Sequence, residues 1–183
     1  MKFDLTQFNV CEDGLIFYDN YDSFEDAWNA CPRGDWMLWI AHKLKVDHRI
    51  LTLAKSRCAR TVIHLMKDKR SRDAVEVSEQ YGLGKATKEE LMKADKGAKD
   101  AYIASASSAA TAAAVAAFSA AAPDSEDFSI AATYASYATA YAAAFFDASE
   151  AYATAKENNE RQTADICREI LTELVFKQIK QTL

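Results

Sequence analysis

Over most of the chain apolar positions recur at intervals of three and four residues, the spacing of amphipathic helices. Asp22 and Ser23 can cap a short helix through Trp28 to Cys31, which Pro32 ends. After the turn at Gly34, Asp35 with Trp36 and Trp39 resembles a pocket, but reads more simply as the N-cap of a helix over WMLWIAHKL followed by two large core anchors. Asp47 caps the next stretch, predicted as one helix over 48–67 and closed by the DKRSRD loop. At about 100° per residue, Leu51, Ala54, Cys58, Val62, Leu65 and Met66 share its apolar face. Arg49, Arg57, Arg60, His64 and Lys67 fall in a narrow arc opposite. A further short helix is predicted over 72–81, and the YGLG stretch closes it.

Thr87 with Glu90 three residues later forms a capping box. A helical pattern then runs to Ala122, weakened only at Gly97, and Pro123 breaks it. The next helix is predicted over 126–158, with a stripe of Tyr134, Tyr137, Tyr141, Phe145, Ala148 and Tyr152 that fills the gap toward the shorter helices. The last is predicted over 161–181 and buries Ile166, Ile170, Leu174 and one of Val175 or Phe176. Residues 1–20 fit either a short helix or an extended segment around LIFY.

Composition sharpens this picture. Five glycines and two prolines are too few for the tight turns of an all-β fold of 183 residues. Alanine occurs 35 times, 25 of them between Ala101 and Ala155, and it is the strongest helix former. The expected fold is therefore all-α. One domain over 1–183 would hold short helices in 1–85, a long alanine-rich antiparallel hairpin over 87–158 and a C-terminal helix over 161–181. The uncharged runs 101–122 and 128–146 are long enough for a membrane hairpin, but they contain no leucine and little isoleucine or valine. Close helix–helix packing of small side chains is the better reading.

The net charge of −5 is uneven. Residues 1–100 carry 17 basic and 17 acidic side chains; residues 101–183 carry 5 and 10. Between Lys43 and Arg72 there are ten Lys and Arg against Asp47 and Asp68 only, which leaves open a nucleic-acid-binding helix over 49–67, solvation, or pairing with the acids of 19–26. Asp124, Glu126 and Asp127 at the hairpin tip are candidates for contact with a basic partner, and so, for an acidic one, are Arg49, Arg57 and Arg60.

Catalytic signatures do not emerge. There is no Gly-rich phosphate loop, GxSxG or HExxH, and Cys11, Cys31, Cys58 and Cys167 lack CxxC spacing. His42, His48 and His64 have no metal-binding spacing, so no metal, cofactor or catalytic residue is expected. Scattered thiols and the absence of an N-terminal secretory pattern point to the cytoplasm.

Five short motifs then combine in order. They are Arg33, Gly34, Asp35 and Trp36 with Trp39; Asp47 and Arg49; Cys58, Ala59 and Arg60; Gly84, Ala86 and Thr87; and Asp165, Ile166 and Arg168. Together with the alanine-rich helices, this series resembles an all-helical family of immunity proteins from bacterial polymorphic toxin systems, over about 11–170. The resemblance implies a non-enzymatic protein that neutralises a cognate toxin by direct binding; nucleases are frequent among such toxins. A non-enzymatic helical scaffold without a toxin is the blander alternative.

Overall fold

The computed structural model describes residues 2–105, 107–122, 128–143 and 150–182. These form nine α-helices: α1 (Glu12–Asp19), α2 (Phe24–Ala30), α3 (Gly34–Lys43), α4 (His48–Arg60), α5 (Lys69–Gly82), α6 (Lys88–Ile103), α7 (Ser108–Ala121), α8 (Ile130–Ala143) and α9 (Glu150–Thr182). Single 3-10 turns lie at Thr6–Phe8 and Ile63–Leu65, and no strand occurs among the described residues. The fold is the all-α bundle that composition and periodicity predict, and the N-terminal 20 residues resolve into a 3-10 turn followed by a helix.

Side-chain caps set many of the helix starts. Ser23 Oγ accepts from the Asp26 N–H, Asp47 from the Arg49 and Ile50 N–H groups, and Asp68 from the Arg70 N–H. Thr87 and Glu90 form the reciprocal capping box. Asp35 is not a cap. Arg33 occupies that position without a side-chain capping bond, and Asp35 sits in the first turn of α3, buried.

Three predicted helices have different limits. The 48–67 helix stops at Arg60, where the Thr61 and Val62 N–H groups bond the Cys58 and Ala59 carbonyls three residues back and the chain tightens into 3-10 geometry. The helix expected from Thr87 to Ala122 is two. It breaks not at Gly97 but between Ala104 and Ser107, where Ser105 Oγ bonds the Ala101 carbonyl and Ser107 Oγ caps α7. The break expected between Asn158 and Arg161 is absent, and α9 runs straight through. There the buried Asn159 spends its amide on Thr61 Oγ1 of the neighbouring chain segment, at 3.0 Å, rather than on its own backbone. The i,i+4 pairs Lys156–Glu160 and Glu157–Arg161 span the same turn.

Helices α7 and α8 pack along each other, and α9 packs on α8. Lys55 touches both the carbonyl of Ala122, at the end of α7, and the ring of Phe128, just before α8. The two helices therefore meet at that end and run antiparallel. Their contact is made by Ala112, Ala113, Ala116, Ala117 and Ala120 against Ala131, Ala135 and Ala138, all buried, with Val62 and Val75 beneath. Small side chains on both faces are what permit this approach.

The tyrosine stripe reaches toward the short helices only at Tyr137, which packs on the cluster that includes Val62, Met66 and Val75. Along the α8–α9 flank Tyr137 stacks on Tyr141, and Tyr134 and Tyr152 meet these two rings edge-on, with Tyr134 and Tyr141 exposed. Phe145 and Ala148 lie outside the described residues. Large apolar side chains concentrate elsewhere, where α1, α2, α3 and α4 meet α9: Trp28, Met37, Leu38, Leu51, Leu171 and Val175 form that core.

Candidate functional site

The motif residues around Arg33 turn out to hold α3, α8 and α9 together. Arg33 donates through Nε and Nη2 to the two Asp35 carboxylate oxygens, at 2.9 and 2.6 Å, and lies 3.6 Å from Glu160 of α9. This bidentate pairing raises the Arg33 pKa further above its ordinary value, against the effect of burial. Thr133 of α8 donates to Asp35 at 3.3 Å, and Lys156 pairs with Glu160 at 2.5 Å. The Arg33 guanidinium also covers the Trp36 ring at 4.8 Å. Gly34 is required by proximity: a Cβ there would lie 2.5 Å from Thr163 Oγ1 and 2.6 Å from the Thr163 carbonyl carbon. Arg168 completes the tie by donating to the Cys31 carbonyl and to Asp165.

The basic arc of α4 is similarly occupied. Arg49 donates to the Tyr81 carbonyl at 2.8 Å and lies 4.2 Å over the Tyr81 ring. Arg57 pairs with Glu79 at 3.3 Å and reaches Glu169 at 3.8 Å; Arg60 pairs with Glu79 at 2.6 Å. His64 and Lys67 are exposed but lie beyond the end of α4, so they do not continue that face. The three arginines thus join α4 to α5 and α9 instead of forming a free cationic strip. Asp124, Glu126 and Asp127 lie outside the described residues.

A cavity of about 340 Å³ opens beside the Arg33 network, under the N-terminal turn and α1 to α3. Its walls include Trp28, Trp36, Trp39, Phe17 and Ile40, with the buried Asp35 among its few polar groups. Trp36 and Trp39 are only half-buried, so they are walls of this cavity as well as edges of the core. Lys43 sits 5.3 Å over the Trp39 ring, and Phe17 meets Trp36 edge-on at 5.9 Å. Cys31 also lines the cavity, but burial pushes its pKa up to about 11, so it stays a thiol at neutral pH and is a poor nucleophile. Asp35 is committed to Arg33. This geometry favours occupation by an apolar group over bond-making chemistry.

Sequence reasoning passed over two features. The first is Lys55, which is completely buried. Its Nζ donates to the carbonyls of Ser119 and Ala122 at 3.1 and 3.2 Å, capping the C-terminal end of α7, and lies 4.5 Å over the Phe128 ring. Burial pushes its pKa down to about 8, with Asp95 acting weakly the other way. A signal was present: Lys55 falls about 40° from Leu51 on the helical wheel, inside the apolar face. The second is the extent of the N-terminal acidic block, of which the sequence reading used only the acids of 19–26, as candidate partners for the basic stretch. Asp4, Glu12, Asp13, Asp19, Asp22, Glu25 and Asp26 oppose only Lys2 within residues 1–30, and all seven carboxylates are on exposed residues. Averaging over residues 1–100 conceals this block.

Among the described residues no group of His, Cys, Asp and Glu is placed to hold a metal ion, and no helix is long and apolar enough to cross a membrane. Fold and site together define an all-α bundle with an aromatic cavity at an acidic N-terminal end. No protein-family model, curated protein or solved structure matches the chain.

Proposed function

We propose that this chain is an immunity protein that acts in the cytoplasm by binding a cognate bacterial toxin domain directly, without catalysis or a cofactor. The motif series of the sequence supports the class. One structural observation carries the direction of the charge complementarity: the arginines of α4 are engaged by Tyr81, Glu79 and Glu169, while the seven acids of the N-terminal end stand on exposed residues. A surface of that sign suits a basic partner, such as a nuclease toxin domain, and speeds its encounter at moderate salt.

The test is co-expression with the toxin domain encoded beside the gene, followed by purification of the complex and measurement of toxin activity. Rescue of growth together with a stoichiometric complex is the expected outcome. Failure to associate with any neighbouring toxin, or rescue by turnover of the toxin at substoichiometric amounts, would overturn the reading.

A further inference from the structure

The aromatic cavity and the acidic block occupy the same segment of chain. Leu5, Cys11, Gly14, Tyr18, Phe24 and Ala27 all line the cavity. Each of the seven acids lies within two residues of one of them: Asp4 beside Leu5, Glu12 beside Cys11, Asp13 beside Gly14, Asp19 beside Tyr18, Asp22 two before Phe24, Glu25 beside Phe24 and Asp26 beside Ala27. The elements that turn apolar side chains into the cavity therefore carry carboxylates on their outer faces. Among the described residues only Asp19 of the seven has a cationic partner, Lys2, at 3.2 Å.

We infer that this end of the molecule is a docking site for a protein segment in which an apolar or aromatic side chain is flanked by lysine or arginine. The inference rests on the binding function proposed above and names the surface and the partner's chemistry. The cavity supplies a desolvated pocket of the kind that receives a dominant anchor side chain. At about 340 Å³ it lies near the lower end of ligand-sized cavities. Six carboxylates without an internal cation give the pocket a collar of one sign. A small apolar molecule would leave that collar without a role. A cationic segment with one apolar anchor uses both features, the collar in steering and the pocket in retention.

The site carries its own reporter. Cys11 lines the cavity and is exposed, whereas Cys31, Cys58 and Cys167 are buried, so a thiol-reactive bimane labels Cys11 selectively in the folded chain. The labelled full chain is titrated with three peptides: acetyl-Lys-Lys-Phe-Lys-Lys-amide, the same peptide with serine for phenylalanine, and the same peptide with glutamate for every lysine. A saturable change in bimane emission is expected with the first, at roughly tenfold lower concentration than with either control. Glu12→Lys with Asp13→Lys, in the exposed first turn of α1, should remove most of the preference over the glutamate peptide while leaving the preference over the serine peptide, as should raising the salt severalfold. Equal response to the serine peptide, equal response to the acidic peptide, or no response at millimolar peptide each overturns the inference.

The same charge-reversed variant, measured against the neighbouring toxin domain, separates the two levels. Slower, less salt-dependent association supports both. Unchanged association shows that the toxin binds elsewhere, which overturns the docking site and leaves the binding function standing. Absence of any toxin binding by the wild-type chain overturns the function, while the peptide titration still decides whether the pocket accepts a cationic anchor.

Discussion

Lys55 places a cation where the pattern of α4 calls for an apolar side chain, and it does so to close another helix. The carbonyls it binds belong to the last turn of α7, whose partial negative charge offsets the cost of burial. The pH dependence follows from its lowered pKa. Below about 8 the group is charged in both the folded and unfolded chain, and the burial cost is fully present. Between about 8 and the ordinary value of 10.5 the unfolded chain binds more protons, so stability rises with pH. Burial moves the Cys31 and Cys167 thiols upward, which acts in the opposite sense at alkaline pH. The quantity to measure is therefore the difference between wild type and Lys55→Met, in which those groups cancel. Urea unfolding should show this difference moving by about 3 kcal/mol in favour of wild type between pH 7.5 and 10.5. A difference that does not change with pH would mean that Lys55 titrates normally. Gly34 is the second decisive residue. Gly34→Ala should cost about 1–3 kcal/mol, because the clash is with Thr163 backbone as well as its side chain. An unchanged urea midpoint would show that α3 and α9 can separate there without loss.

At the scale of elements, the existence of most helices was legible and their limits were not. Periodicity and caps report what a segment can do alone, and they located the starts at Ser23, Asp47 and Thr87. The misplaced limits depend on which bond a polar side chain makes, across the fold for Asn159 and within its own segment for the others. Asn158 and Asn159 look like a stop in isolation, yet Asn159 has Thr61 as a partner and the helix continues. Ser105 and Ser107 look harmless in an alanine run, yet they break it by bonding and capping the backbone. Asp35 looks like an N-cap because it precedes the apolar run, but Arg33 claims its carboxylate and the helix starts at Gly34. The alanine pairing was readable because its cause is local, the absence of bulk on both faces. Ala113 has no exposed surface in that contact. Ala113→Leu should therefore destabilise by about 1–3 kcal/mol through overpacking. A neutral effect on the urea midpoint would show slack between α7 and α8.

At the scale of the whole molecule, charge falls into three blocks: seven acids against one lysine in residues 1–30, ten against sixteen basic residues in 31–100, and ten against five in 101–183. The sequence identifies the middle block as basic, but not how those cations are spent. That depends on the packing of α4 against α5 and α9, which brings Glu79 to both Arg57 and Arg60. The tryptophans were legible both as core anchors and as a pocket; what closes that pocket was not, because much of the other wall comes from residues 5–18, within the N-terminal stretch where the pattern was ambiguous. Glu79 is the residue whose removal separates the acidic-surface reading from a nucleic-acid-binding one. Glu79→Gln keeps the side-chain shape but releases two guanidinium groups that are already more than a third exposed. If the pairing is what withholds them, the variant should bind duplex DNA more tightly than wild type at low salt. Each phosphate contact adds about −0.9 to the slope of log affinity against log salt, so two released arginines should steepen it by about 2. Wild type should show a shallow slope, consistent with its net charge of −5. If wild type and Glu79→Gln bind duplex equally, with the same steep slope, the arginines are free in solution. The α4 surface would then have to be treated as a nucleic-acid interface.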